Sequence, residues 1–199
     1  HEGWYHLLHR KPYRRRPRQT RTPQAKTRIP ERISIHERPA LINERQRFGD
    51  WESDLALFQR QRPAVSVQYE RKARLLCLHK VADRTAAENE RAITATIEAL
   101  PPHLTKSYTF DNGTENVCHA GIRDLFNVQT FCCDPYAAWQ KGGVENAIGL
   151  LRRYLPKTTD LSTITDDDLH RIQELLNNRP RKKLNYQTPN EVLGVALNS

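Results

Sequence analysis

Apolar and polar positions alternate in short runs along the first two thirds of the ordered-looking chain. In FGDWESDLALF (48–58), Trp51, Leu55 and Leu57 face one way while Asp50, Glu52 and Asp54 face the other. Period-two alternation predicts a strand with a row of acids on one side. AVSVQYE (64–70) and ARLLCLHKVA (73–82) read as two further strands joined by the polar link ERK, which suits a hairpin. The period then changes. Ile93, Ile97 and Leu100 recur at helical spacing behind Thr85 and Glu88, a capping-box pair, and Pro101–Pro102 stops the helix. KSYTF (106–110) is a fourth strand closed by the turn signal Asn112–Gly113, a short helix follows at about 118–126, and VQTFC (128–132) is a fifth strand. The loop DPYAAWQKGG opens a helix, GVENAIGLLRRYL (143–155). Two more helices are predicted over 166–177, capped by Thr165, and over 189–197, with Thr188 as cap, Pro189 in the first turn and Glu191 closing a box.

Three antiparallel strands followed by two parallel ones, interleaved with helices, predict an α/β fold. The plan is a five-stranded mixed sheet of ribonuclease H-like type with helices on both faces. Residues 46–199 form this core. Residues 1–45 are a basic, proline-interrupted arm, because proline suits neither a helix interior nor a central strand. The opening HEGWYHLLHR reads as the end of a preceding module, so a longer protein is expected.

Charge sharpens that division. Residues 1–38 hold 11 Lys and Arg against 3 Asp and Glu, whereas the other 161 residues hold 21 against 20. A cationic arm on a near-neutral body points to a polyanion, with a merely solubilising tail as the plain alternative. No apolar run reaches the roughly 18 residues of a membrane helix, so no membrane partner is expected. Cys118–His119 and Cys132–Cys133 fit no zinc spacing, and the four cysteines are read as reduced thiols of a cytoplasmic protein.

Acids on three separate elements stand out: the row on the first strand, Asp111 at the carboxyl end of the fourth, and Glu145 on the long helix. Ligands of open α/β sheets gather beyond the carboxyl ends of strands. On the helix, Val144, Ile148, Leu151 and Leu155 make the core stripe, and Lys141, Glu145, Gly149 and Arg152 make a second stripe beside it. Brought together, the acids would repel unless a cation lay between them. Magnesium prefers oxygen ligands, and two such ions roughly 4 Å apart serve in-line phosphoryl displacement. The pattern leaves Asp50, Glu52 and Asp54 open as the first-strand ligand. Asp50 and Asp54 lie about 13 Å apart along a strand. Each acid taken singly reads as an ordinary surface charge or turn residue before it reads as catalytic.

The chain resembles the transposases of the insertion-sequence-thirty family, of the DDE group with an integrase-like fold. The matching stretches are IHERP (35–39), FGDWESDL (48–55), YERKARLL (69–76), FDNGTEN (110–116), FCCDPYAAWQKGGVENAIGLLRRYLPKTTDL (131–161) and LNNRPRKKLNYQTPNEVL (176–193), with 33 residues between Asp111 and Glu145. The resemblance implies that Asp54, Asp111 and Glu145 are the catalytic and metal-holding triad, served by magnesium or manganese, with two ions. It implies cleavage of DNA at transposon ends and joining of the freed 3′-hydroxyl to target DNA by a dimer or higher multimer in a prokaryotic cytoplasm. Arg14, Arg15, Arg16, Arg18, Gln140, Lys141, Arg152 and Arg153 are the expected DNA contacts. Asn112, Gly113, Trp139 and Asn146 are expected to support the site. Asp50, Ser53 and Val144 stand where other residues are usual, which marks a divergent member. The alternatives are a nuclease of the same fold that only cuts, and a DNA-binding protein that has lost catalysis.

Overall fold

The computed structural model describes residues 29, 31–59 and 63–197, with the side chain of Ala138 left aside. The expected DNA contacts Arg14, Arg15, Arg16 and Arg18 lie outside the described residues. A short helix, α1 (Ala40–Asn43), precedes the strands β1 (Asp50–Leu57), β2 (Ala64–Glu70) and β3 (Leu76–Val81). Helix α2 (Ala86–Glu98), strand β4 (Ser107–Phe110), helix α3 (His119–Phe126) and strand β5 (Gln129–Cys132) follow. Helices α4 (Gly142–Leu151), α5 (Asp166–Asn177) and α6 (Pro189–Leu197) complete the chain. The sheet runs β3-β2-β1-β4-β5, antiparallel across its first three strands and parallel from β1 through β4 to β5. This is the ribonuclease H-like sheet that the order of elements predicts.

Each face of the sheet carries its own apolar layer. Val65, Val67, Tyr69, Leu76 and Leu78 pack with Val144, Ala147 and Leu151 of α4 and Leu169 and Leu176 of α5. On the reverse, Trp51, Tyr108 and Phe110 pack with Ile93 and Ile97 of α2 and Ile122 of α3. The Trp51, Tyr108 and Phe110 rings stack in sequence across the strands, at 6.1 and 5.9 Å between centroids. Stacking of this kind adds to area burial. β1 is therefore covered on both sides, and Asp50 and Glu52 of the acid row are buried instead of lying in water.

The outer edge of β3 is closed by side chains. Asn177 Oδ1 accepts from Leu76 N–H at 2.9 Å and Asn177 Nδ2 donates to the Leu76 carbonyl at 2.8 Å. Gln173 Oε1 accepts from Leu78 N–H at 2.8 Å, and Arg91 donates to the Lys80 carbonyl at 3.2 Å. Two amides one turn apart on α5 thus mimic a sixth strand and satisfy groups that an open edge would expose.

The elements depart from expectation in four places. Residues 31–45, assigned to the arm on composition, pack against the body. Ile35 and Ile42 are buried, Cys132 N–H donates to the Ile33 carbonyl at 2.8 Å, and Arg38 donates to Thr109 Oγ1 at 3.0 Å. The segment lines the β5 edge through a parallel bridge between Ser34 and Cys132. The expected third strand shortens to Leu76–Val81, since Glu70 Oε2 accepts from Ala73 N–H and tightens the turn before it. Helix α4 stops at Leu151, and tighter bonds from Arg153 to Leu150 and from Tyr154 to Leu151 turn the chain so that Leu155 still reaches the core. The Thr85–Glu88 box is half formed, because Glu88 turns its carboxylate to Ala82 N–H and Arg91. The boxes at Thr165–Asp168 and Thr188–Glu191 are complete.

Candidate active site

Strand register brings the first two acids together. In the parallel β1–β4 ladder Asp50 pairs with Ser107 and Glu52 with Thr109. Two residues further along both strands stand Asp54 and Asp111, at the same level and on the same face, with neighbouring strands about 4.8 Å apart. Asp111 sits one residue beyond β4 and is fixed from behind: its Oδ1 accepts from Gly113 N–H at 2.9 Å and from Asn116 Nδ2 at 2.8 Å. Asn112 Nδ2 donates to the Cys133 carbonyl at 2.6 Å and ties the turn to the end of β5. Asn112 and Gly113 thus hold Asp111 in place.

A cation already lies between the two carboxylates. Lys141 Nζ is 3.3 Å from Asp54 Oδ2 and 3.5 Å from Asp111 Oδ2, and it donates to the Ser53 carbonyl at 3.0 Å. Lys141 is almost wholly buried, at 2% exposure. Burial tends to depress its basicity, but Asp54 and Asp111 outweigh that and hold it above the ordinary lysine value. Burial also dominates at Asp54 and raises its carboxyl, with Lys141 opposing and Asp111 reinforcing. The two shifts agree once charge is counted. One ammonium serves two carboxylates, so it is over-satisfied while they remain short of positive charge. A divalent cation fits this donor set, with oxygen ligands from two strands and an unmet negative charge.

The other two acids of the row serve the scaffold. Asp50 is fully buried and accepts from Arg47 Nε and Nη2, both at 2.9 Å, and from Ser107 Oγ at 2.6 Å. Glu52 is fully buried as well; its Oε1 accepts from Arg71 Nη1 at 2.5 Å. Its Oε2 accepts from Val144 N–H at 2.9 Å. Val144 is the third residue of α4, whose cap residue Lys141 makes no side-chain capping bond. Glu52 therefore supplies, from the middle of the sheet, the carboxylate that a helix start favours. Gly143 is required at this junction: a Cβ there would lie 2.6 Å from Glu52 Oε2 and overlap the Tyr69 ring. Glu52, Tyr69, Arg71 and Gly143 escape sequence reasoning as a set. The only signal is that each belongs to one of the quoted motifs.

Glu145 stands apart from the aspartates. It lies in the first turn of α4, exposed, one turn beyond Lys141 on the same stripe. Among the described residues no group of three His, Cys, Asp or Glu side chains is arranged to hold a metal ion. The structure brings Asp54 and Asp111 together and leaves Glu145 outside.

No family model matches the chain. Over 169 residues it is 41% identical to the transposase for insertion sequence element IS1086 of Cupriavidus metallidurans, an alignment covering 85% of this chain and 50% of that protein. It is 36% identical over 165 residues to transposase InsI for insertion sequence element IS30A of Escherichia coli K12, covering 82% of this chain and 43% of that one. Over most of its length the chain is thus similar to transposases of insertion sequence elements. It spans about half the length of the curated relatives it matches. Its fold is that of retroviral integrase cores. The catalytic core of BIV integrase superposes with a TM-score of 0.57 at 18% identity, over 74% of this chain and 94% of that one. The HTLV-2 integrase core, solved in complex with magnesium in a trimeric form, gives 0.55 at 16% identity, over 72% and 95%.

The remaining residues expected of a transposase site divide by exposure. Gln140 closes the loop before α4: its Oε1 accepts from Asp134 N–H and its Nε2 donates to Asp134 Oδ2, both at 2.8 Å. Arg152 turns inward, donating to the Leu57 carbonyl at 2.6 Å and lying 4.3 Å from the Phe58 ring centroid. Arg153 and Asn146 are exposed. Trp139 is 77% exposed, so it does not anchor the loop by burial.

Proposed function

We propose that this chain is the catalytic region of a DNA transposase, a polynucleotidyl transferase that cleaves phosphodiesters at transposon ends and joins the 3′-hydroxyl to target DNA. The observation that carries this reading is the parallel register that sets Asp54 beside Asp111 around a buried cation. The chain around that pair has integrase-core architecture and is 41% identical to a transposase. Relatives that are transposases favour cutting and joining over cutting alone, and over an inert DNA-binding role.

Asp54 and Asp111 would hold a divalent ion, magnesium or manganese, with Glu145 completing the set for a second. An ion held there would supply activation of the attacking oxygen and stabilisation of the leaving one. The chain's own residues set the geometry. The β1–β4 ladder fixes the spacing of the aspartates, Asn112, Gly113 and Asn116 orient Asp111, and Glu52 holds the start of the Glu145 helix. DNA is the substrate, with Arg153 and the cationic residues Arg14, Arg15, Arg16 and Arg18 positioning phosphates. A homomultimer acting on paired ends in a bacterial cytoplasm completes the reading. No helix among the described residues is long and apolar enough to cross a membrane.

The test is incubation with Mg2+ or Mn2+, supercoiled plasmid and a duplex bearing a pre-exposed 3′-hydroxyl end. Nicked and joined products are expected, with both lost in Asp54→Asn, Asp111→Asn and Glu145→Gln. Products that persist in both aspartate variants would refute the assignment.

A further inference from the structure

We infer that Lys141 is an internal counter-cation that holds Asp54 and Asp111 facing one another, yields its place to a divalent metal ion, and then offers its ammonium to a DNA phosphate. The inference rests on the proposed function. Its physical basis is the mismatch between how deeply Lys141 is held and how loosely it is bonded. Its side chain is 3% exposed, yet its carboxylate contacts are 3.3 and 3.5 Å. Good charge-assisted N–H···O bonds are about 2.7–2.9 Å. The ammonium is kept by charge and by the Ser53 carbonyl, without close bonds to either acid. It brings one positive charge to two negative ones, whereas a divalent ion brings two and takes carboxylate oxygens at about 2.0–2.1 Å if it is magnesium. The two cations compete for the same oxygens, and the ion neutralises them more fully.

The chain around Lys141 permits the exchange. Lys141 ends the short helical turn Ala138–Lys141, and Gly142 after it is exposed, with nothing within 4 Å of a Cβ built there. One residue further on, Gly143 and Val144 are clamped against Tyr69 and Glu52. Movement is thereby confined to the segment before Gly143, whose Tyr136 and Trp139 are 90% and 77% exposed. The lysine thus offsets part of the acid pair's charge before metal arrives and reaches phosphate afterwards.

The experiment uses the 199-residue chain and Mn2+ as the probe, by isothermal titration. Lys141→Met should bind Mn2+ at least tenfold more tightly than wild type, and Lys141→Arg, which keeps the charge, should stay within threefold of it. In the wild-type chain, acylation of Lys141 by an N-hydroxysuccinimide ester, read by mass spectrometry, should be slow without metal and rise severalfold with Mg2+. That arm needs no variant to fold. On a short duplex of arbitrary sequence, Mg2+ should steepen the salt dependence of wild-type binding by about one phosphate contact and leave Lys141→Met unchanged. Equal Mn2+ affinity in wild type and Lys141→Met, or acylation indifferent to Mg2+ while Asp54-dependent Mn2+ binding is present, overturns the role of Lys141 alone. Absence of any Mn2+ binding sensitive to Asp54→Asn in all chains overturns the metal reading of the site as well.

Discussion

Replacing Glu52 by Gln isolates what the buried acid row contributes. The side chain keeps its shape and loses its charge. Arg71, with a side chain only 4% exposed, is then left without its 2.5 Å partner. Neither orientation of the amide repairs the loss. If its oxygen faces Arg71, its NH2 meets Val144 N–H; if its oxygen faces Val144, its NH2 meets the guanidinium. Breaking a buried pair from one side costs about 3–5 kcal/mol. With a urea slope of about 2 kcal/mol per molar, the unfolding midpoint should fall by about 1.5–2.5 M. The buried Trp51 supplies the fluorescence signal. The double variant Glu52→Gln/Arg71→Met removes the stranded charge and should be more stable than Glu52→Gln alone, a positive coupling in the mutant cycle. A midpoint within about 0.3 M of wild type, or a double variant no better than the single, would refute the claim that this pair anchors α4 to β1.

Gly143→Ala forces a methyl against Tyr69 and Glu52; such overpacking costs about 1–3 kcal/mol, read as a lower melting temperature. Strand-transfer activity should fall further than stability alone accounts for, because Glu145 moves with α4. Glu70 gives a pH signature. Burial pushes its carboxyl up to about 7 from 4.5 despite N–H donors from Ala73 and Gly49. The folded state therefore holds the proton more tightly than the unfolded chain. Its contribution to stability is complete below pH 4.5 and is lost as pH rises through 7. Denaturation midpoints between pH 5 and 8 should fall accordingly, and Glu70→Gln should flatten that part of the profile. Asn177→Leu removes both side-chain bonds to Leu76 and should promote concentration-dependent aggregation, followed by light scattering.

The strands and their order were legible because β-period alternation and turn residues are local signals. The acid row was read only in part. Its three-on-one-face geometry followed from the period, but its surroundings did not. Arg47, Arg71 and Lys141 reach it from separate parts of the chain, and a helix ninety residues away covers it. A charged strand face looks wet to any local pattern unless its counter-charges are known. Asp54 could not be preferred to Asp50 or Glu52 from spacing; the register of Glu52 with Thr109 is what sets Asp54 beside Asp111, two residues on. Residues 31–45 were hidden for the opposite reason, since burying scattered isoleucines leaves no periodicity. The inward turn of Arg152 likewise depends on Phe58 and Leu57, which its helix does not contain.

Because Asp54 and Asp111 meet through hydrogen bonds between adjacent strands, their separation does not depend on how much chain links them. The turn at 82–85 between β3 and α2, where Ala82, Arg84 and Thr85 are exposed, could lengthen or be cut open while the two oxygens kept their spacing. Glu145 has no such protection, since its approach is set by the loop from β5 and by a helix start clamped at Gly143. Insertions should therefore be harmless between the first two acids and damaging between the second and third.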